Sequence, residues 1–190
     1  QAEQLVSKEK EPQLWAAIQI DIGKAGAQIG TRTQGSEIHG YLDDAATAFR
    51  AALTVYTKEQ LPQDWAMTQN NLGVALWTQG TRTTGETGTQ LLADAASAYR
   101  AALTVRTKEH LPQDWAATQN NLGLVLEEQG NRTGGEPGIR LLAEAVSVYR
   151  DALTVYTKEH LPQGWAATQN NLGNALQARG IRTSGEAGIR

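Results

Sequence analysis

From Leu111 onward the apolar positions Trp115, Leu122 and Leu126 stand seven and four apart, which is one stripe of an α-helix. Pro112 suits the first helical position, because the N–H it lacks would be unpaired there anyway. Asp114 follows in the first turn, where the helix dipole favours an anion. A helix A is therefore predicted from Pro112 to Gln129, with Gly130 as a left-handed stop. Gly130-Asn131-Arg132-Thr133-Gly134-Gly135-Glu136-Pro137 is dense in breakers and reads as a loop. A helix B is predicted from about Gly138 to Glu159, with Leu142, Ala145, Tyr149, Ala152 and Leu153 on one face.

The same pattern recurs along the chain. Trp15, Trp65, Trp115 and Trp165 are each 50 residues apart, and 61–110 agrees with 111–160 at roughly 35 of 50 places. A fixed period of this size is the signature of a helical array whose units bury their faces against one another. The predicted organisation is one array over 1–190: the end of a preceding helix B at 1–10, repeats at 11–60, 61–110 and 111–160, and helix A with its loop at 161–190. Ser7-Lys8-Glu9 aligns with Thr57-Lys58-Glu59, and Gly188-Ile189-Arg190 with Gly138-Ile139-Arg140. The chain thus reads as a piece cut from a longer array.

Asn171-Leu172-Gly173-Asn174-Ala175-Leu176, closing with Gly180, resembles the first helix of a tetratricopeptide repeat. Ala145, Tyr149 and Ala152 resemble the small–aromatic–small trio of that family's second helix, as do Ala45, Phe49, Ala52 and Ala95, Tyr99, Ala102. The family unit is about 34 residues, and the extra length here is expected in the A–B loop and at the end of helix B. The resemblance is to the long-repeat bacterial version. It implies an all-α fold, a right-handed α-solenoid of stacked antiparallel helix–loop–helix repeats, whose A helices line a concave groove that binds protein. Repeat one departs most, with Asp21-Ile22-Gly23 for Asn121-Leu122-Gly123 and Gly26 for Leu126.

A residue that recurs in every copy most simply serves stacking; one that varies is free to serve a partner. On helix A the variable positions of the second copy are Met67, Val74, Trp77 and Thr78, on one helix face. The partner-binding candidates are Lys24, Met67, Val74, Trp77, Leu124, Glu127, Glu128, Asn174 and Gln177. The recurring Asn70, Asn120 and Asn170 join them at the edge of that face. Trp77, outside the tryptophan register, is the expected hot spot. The asparagines suit either a peptide backbone or a tie between adjacent A helices. Lys24 is alone as a cation on this row, so a clamp for a peptide carboxylate, which needs successive A-helix cations, is not expected.

Other chemistry narrows rather than extends this reading. Formal net charge is −3 with no run of like charge, so neither nucleic acid nor base stacking by the registered tryptophans is expected. No cysteine is present, which excludes disulfides and thiolate chemistry and fits a cytoplasmic location. No apolar run approaches a membrane span. His39, His110 and His160 form no HExxH-like pair, and no nucleophile elbow or phosphate loop appears. No enzyme activity, metal or cofactor is expected. The Asn131-Arg132-Thr133 sequon reads as chance.

Arg32, Arg82, Arg132 and Arg182 recur in the loop, with Glu86, Glu136 and Glu186 four residues after the last three. An arginine–carboxylate lock on the loop is expected, with an anion site made by the arginines and Gly amides as the sharper alternative. The expected function is a scaffold for a peptide or partner helix. The rival is self-assembly, copies stacking end to end as homo-oligomers through unpaired flanks.

Overall fold

The structure, a computed structural model, describes residues 6–32 and 37–187. The described residues are all-helical, with seven helices and no strand: α1 (Pro12–Arg32), α2 (Glu37–Ala52), α3 (Pro62–Arg82), α4 (Gly85–Leu103), α5 (Pro112–Arg132), α6 (Gly135–Leu153) and α7 (Pro162–Ala187). Odd-numbered helices are A helices and even-numbered ones B helices. The chain divides into two compact units, residues 1–105 and 106–190. In the first, each helix packs on the next and α1 also touches α3; in the second, α6 packs on α5 and α7, which touch each other. Contacts between consecutive and next-but-one helices are those of a helical repeat.

Each A helix begins as the sequence predicts. Leu61 and Leu111 lie at φ −136° and −137°, outside the α region, with proline next in line. Ahead of them a turn is built identically in every copy. The amides of Gln60, His110 and His160 donate to the hydroxyls of Thr57, Thr107 and Thr157 at 3.2–3.3 Å, and Lys10 N–H to Ser7 Oγ at 3.2 Å. This turn carries a lysine back over the following tryptophan: Lys8, Lys58, Lys108 and Lys158 lie 5.4–6.0 Å from the ring centres of Trp15, Trp65, Trp115 and Trp165, within cation–π range. The registered tryptophans are half-buried, and local contacts with the turn account for part of their recurrence.

The helix ends differ from expectation. Gly130 is not a stop: α5 runs through it to Arg132, and among the described residues only Gly85 and Gly135 have positive φ, at 70° and 63°. Those two residues open α4 and α6, and the left-handed turn falls there because glycine alone adopts it without cost. The A–B connection is therefore two residues, Thr83–Thr84 and Thr133–Gly134, rather than an eight-residue loop. Helix B starts three residues earlier than predicted and ends at Leu103 or Leu153, where Thr104 and Thr154 hydroxyls donate to Ala101 and Asp151 carbonyls at 2.7 and 2.6 Å. The length beyond a 34-residue unit thus goes into helices of 21 and 19 residues and the turn that follows. In the last copy no loop forms among the described residues, and α7 is continuous for 26 residues.

What Gly130 does instead is shown by its contacts. A Cβ at Gly30, Gly80 or Gly130 would lie 2.8–3.0 Å from Leu42, Leu92 or Leu142. Seven residues earlier, Gly23 and Gly73 leave room for the rings of Phe49 and Tyr99, 2.6 and 2.7 Å from the place of a Cβ, and Gly123 does so for Tyr149. Two glycines seven apart on helix A thus receive a leucine and an aromatic seven apart on helix B. All six of those side chains are at most 1 % exposed. Ala45, Ala52, Ala95, Ala102, Ala145 and Ala152 are fully buried beside them, so the helices approach closely. Repeat one packs in the same way despite its divergent motif; Gly26 is half-buried, and a Cβ there would meet Tyr41 O at 2.9 Å.

Candidate binding surface

The positions that repeat and the positions that vary segregate on the A helices. In α3 the recurring Ala66, Leu72, Gly73, Leu76 and Gly80 are buried, while the candidates Met67, Asn70, Val74 and Trp77 are half-buried. Thr78 departs from the row: it is 6 % exposed, and its hydroxyl donates to Val74 O at 2.8 Å. Met67, Val74 and Trp77 stand seven and three apart and make an apolar, half-open row. The Trp77 indole nitrogen is covered and has no acceptor among the described residues. Lys24 on α1 is exposed and pairs with Asp21 at 3.7 Å.

In the second unit, Leu124, Glu127 and Glu128 of α5 are half-buried, and Asn170, Asn174 and Gln177 of α7 are exposed. Asn120 Oδ1 accepts from Thr168 Oγ1 and Asn171 Nδ2, both at 3.1 Å. Of the two roles open to the asparagines, this one serves as a tie between adjacent A helices. Glu127 accepts from the Tyr149 hydroxyl at 3.1 Å. Burial pushes its carboxyl above the ordinary glutamate range, the Glu128 charge adds to this, and the Tyr149 hydrogen bond opposes it. Glu128 is held by Arg132 at 2.7 Å. The acidic pair therefore faces its own helices as well as solvent.

The recurring arginines do something the sequence reading missed. Arg82 does not lock a loop carboxylate; its guanidinium donates to Gly30 O at 2.7 Å and Thr31 O at 3.5 Å. Arg182 likewise donates to Thr133 O and Asn131 O. The last carbonyls of an α-helix have no partner within it, so one repeat's arginine closes the preceding repeat's A helix. Glu136 pairs with Arg140 at 4.0 Å, both groups being well exposed. Glu186 lies outside the residues whose side chains are described. Arg82 and Arg182 are thus engaged with carbonyls, while Arg132 pairs with Glu128.

Two further features were not foreseen. Arg106 stands where Tyr56 and Tyr156 stand in the other copies; it is 8 % exposed, donates to Thr118 Oγ1 at 3.0 Å, and burial lowers its pKa while Asp114 opposes the shift. Gly164 replaces Asp64 and Asp114, and a Cβ there would be 3.0 Å from the Tyr156 ring. An apolar cleft of about 350 Å³ lies beside Tyr156 and Gly164, lined also by Gln113, His160, Leu161, Pro162 and Gln163. The break in the internal repeat at these two positions was the available signal.

His110 and His160 are exposed, and no group of three or more metal-ligating side chains occurs among the described residues; the His39 side chain lies outside them. No helix among the described residues is long and apolar enough to cross a membrane. No family model, no curated protein and no solved structure matches the chain.

Proposed function

We propose that the chain is a non-enzymatic protein–protein interaction scaffold, a bacterial, cytoplasmic array of tetratricopeptide type wound as a right-handed solenoid. A peptide or partner helix lies on the A-helix row that the resemblance makes concave. The observation that carries this reading is the segregation on α3: the shared Ala66, Leu72, Gly73, Leu76 and Gly80 are buried, and what is particular to this copy, Met67, Val74 and Trp77, is half-open on one face. An indole in an apolar row is the kind of anchor that dominates binding energy.

Panning a random peptide display library on the chain, followed by titration of the selected peptides, tests this. The expected outcome is a peptide family whose affinity falls at least about tenfold on Trp77→Ala, in line with a hot-spot loss of about 2 kcal/mol. Selected peptides that bind Trp77→Ala as tightly as the parent would refute the assignment of the face.

Self-assembly is the second reading. It is favoured by exposed apolar side chains on the first and last helices: Leu14 49 %, Ile22 39 % and Ile29 45 % on α1, Leu176 40 % and Ile181 66 % on α7. Sedimentation velocity across a concentration series separates the two. A monomer throughout removes stacking; larger species abolished by Leu176→Lys but not by Trp77→Ala would establish it.

A further inference from the structure

The aromatic of helix B lies across a helix A glycine in each of three repeats: Phe49 over Gly23, Tyr99 over Gly73 and Tyr149 over Gly123. Four residues beyond those glycines, on the same helix face, stand Ala27, Trp77 and Glu127. In two copies the aromatic and this residue suit each other. Phe49 has no hydroxyl and alanine stands at 27, while the Tyr149 hydroxyl donates to Glu127 at 3.1 Å. The second copy is mismatched. Tyr99 has the hydroxyl, but Trp77 stands where the carboxylate would be and has a donor instead of an acceptor.

The Tyr99 hydroxyl makes no hydrogen bond among the described residues. Burial alone raises its pKa, whereas Glu127 adds both its charge and its hydrogen bond to the rise at Tyr149. Tyr99 is 1 % exposed, and the part left uncovered includes the hydroxyl oxygen. Trp77 Nε1 is covered and also lacks an acceptor, while the indole as a whole is half-open on the row. Buried polar groups are rarely left so, and here two donors share one place. Both belong to the second of three complete repeats, so neither is left over at an end of the chain.

The charge nearby has the sign that an acceptor anion needs. Lys24 of α1 stands at the register of Val74, one turn before that of Trp77, and α1 packs against α3. It is exposed and loosely paired with Asp21 at 3.7 Å. Beyond Asp64, α3 has no carboxylate of its own.

We propose that Tyr99 and Trp77 form a carboxylate subsite, and that the partner helix on this row carries a glutamate or aspartate whose side chain takes the place that Glu127 holds in the third copy. The inference rests on the proposed function and specifies its partner: an apolar helix face with one acidic residue set at the Tyr99 hydroxyl. The hydroxyl donates to one carboxylate oxygen. The indole turns about its Cβ–Cγ bond to offer its N–H to the other, and Lys24 balances the charge. An amide in the same place lacks both the second oxygen and the charge.

The test pans a displayed library of short amphipathic helices on the 190-residue chain. Each selected peptide is then titrated beside versions in which its acidic residues are replaced one at a time by the amide, Glu by Gln or Asp by Asn. One carboxylate per peptide is expected whose replacement weakens binding about tenfold, the ordinary worth of a hydrogen bond to a charged group. On Tyr99→Phe that penalty disappears, and the fold is kept because phenylalanine fills the same groove at position 49. On Trp77→Phe, which keeps an apolar ring and removes the N–H, the penalty shrinks. On Tyr149→Phe, the same change where the hydroxyl is already bonded, it is untouched. Peptides that need Trp77 but carry no such carboxylate, or whose amide penalty is the same on Tyr99→Phe as on the parent, overturn this inference and leave the proposed function standing. Peptides that bind Trp77→Ala as tightly as the parent, or a library that yields no binder, overturn both.

Discussion

The glycines of the Asn-Leu-Gly motif permit one substitution to be tried in two settings with opposite expected signs. In Gly73→Ala the new methyl stands 2.7 Å from Tyr99 Cε1, 2.8 Å from Cζ and 3.0 Å from Cδ1. Ordinary contact begins near 3.4 Å, so ring or helix must yield by about 0.7 Å. Tyr99 is 1 % exposed, and a ring so enclosed has no free direction in which to move. Overpacking of this kind costs about 1–3 kcal/mol. Removing glycine from a helix interior returns about 1 kcal/mol, leaving a net loss of up to about 2 kcal/mol at a well-packed site. In Gly173→Ala the methyl meets nothing within 4 Å, and only the helical gain of about 1 kcal/mol remains. Thermal unfolding followed by circular dichroism should show a midpoint lowered by a few degrees for the first and raised by a few for the second. Tyr99→Leu removes the ring, so the penalty of Gly73→Ala should shrink in that background, a coupling a double-mutant cycle measures. Shifts of the same sign at both glycines, or a penalty unchanged without the ring, would refute the account of the motif as a receptor for the aromatic.

Other expectations follow from the remaining contacts. Arg82→Ala should cost about 1 kcal/mol, the worth of a hydrogen bond with one charged and partly exposed partner, and should speed amide exchange in the last turn of α1 rather than in α3 itself. Arg106→Tyr, which restores the residue of the flanking copies, should raise stability by about 1 kcal/mol in urea titration, because a buried guanidinium with a single hydrogen bond is replaced by a ring. Glu127 binds its proton more tightly in the fold than in the unfolded chain. Its contribution therefore favours the fold below the ordinary value of 4.5 and is lost as pH rises through the raised one. Glu127→Gln should accordingly be more stable than the parent at pH 7, with the difference vanishing toward pH 4; a difference that grows on acidification would contradict this.

Starts of the A helices were legible because they are local: at 61, 111 and 161 a proline after a leucine, with aspartate or glycine two residues on, specifies an N-terminus by itself. Ends were not. Gly130 after a helical stripe is locally indistinguishable from a C-terminal glycine, and only the side chain of Leu142 on another helix shows that it is a cavity. The matching seven-residue spacings, Gly123–Gly130 and Tyr149–Leu142, were present in the sequence and could have suggested it. Arg82 acts on a carbonyl 52 residues away, beyond any local rule. A carboxylate four residues along the chain was the nearer but wrong partner. The segregation of constant and varying positions anticipated the burial pattern of α3 well, except at Thr78. It did not foresee that Tyr149, reaching through from helix B, would bond Glu127.

The arginine caps also bear on how such a chain can change length. Helices α1 and α5 are not finished by their own sequence; their last carbonyls are completed by Arg82 and Arg182, each supplied one period later. Insertion or loss of a whole 50-residue unit leaves such a terminus with its arginine, because the next one arrives in the same frame. Insertion or loss of a fraction strands backbone acceptors at the joint. The contact thus acts as a proofreading rule on copy number, favouring growth and shrinkage by complete repeats, and it gives Arg82 and Arg182 a structural reason to stand one hundred residues apart in the same frame.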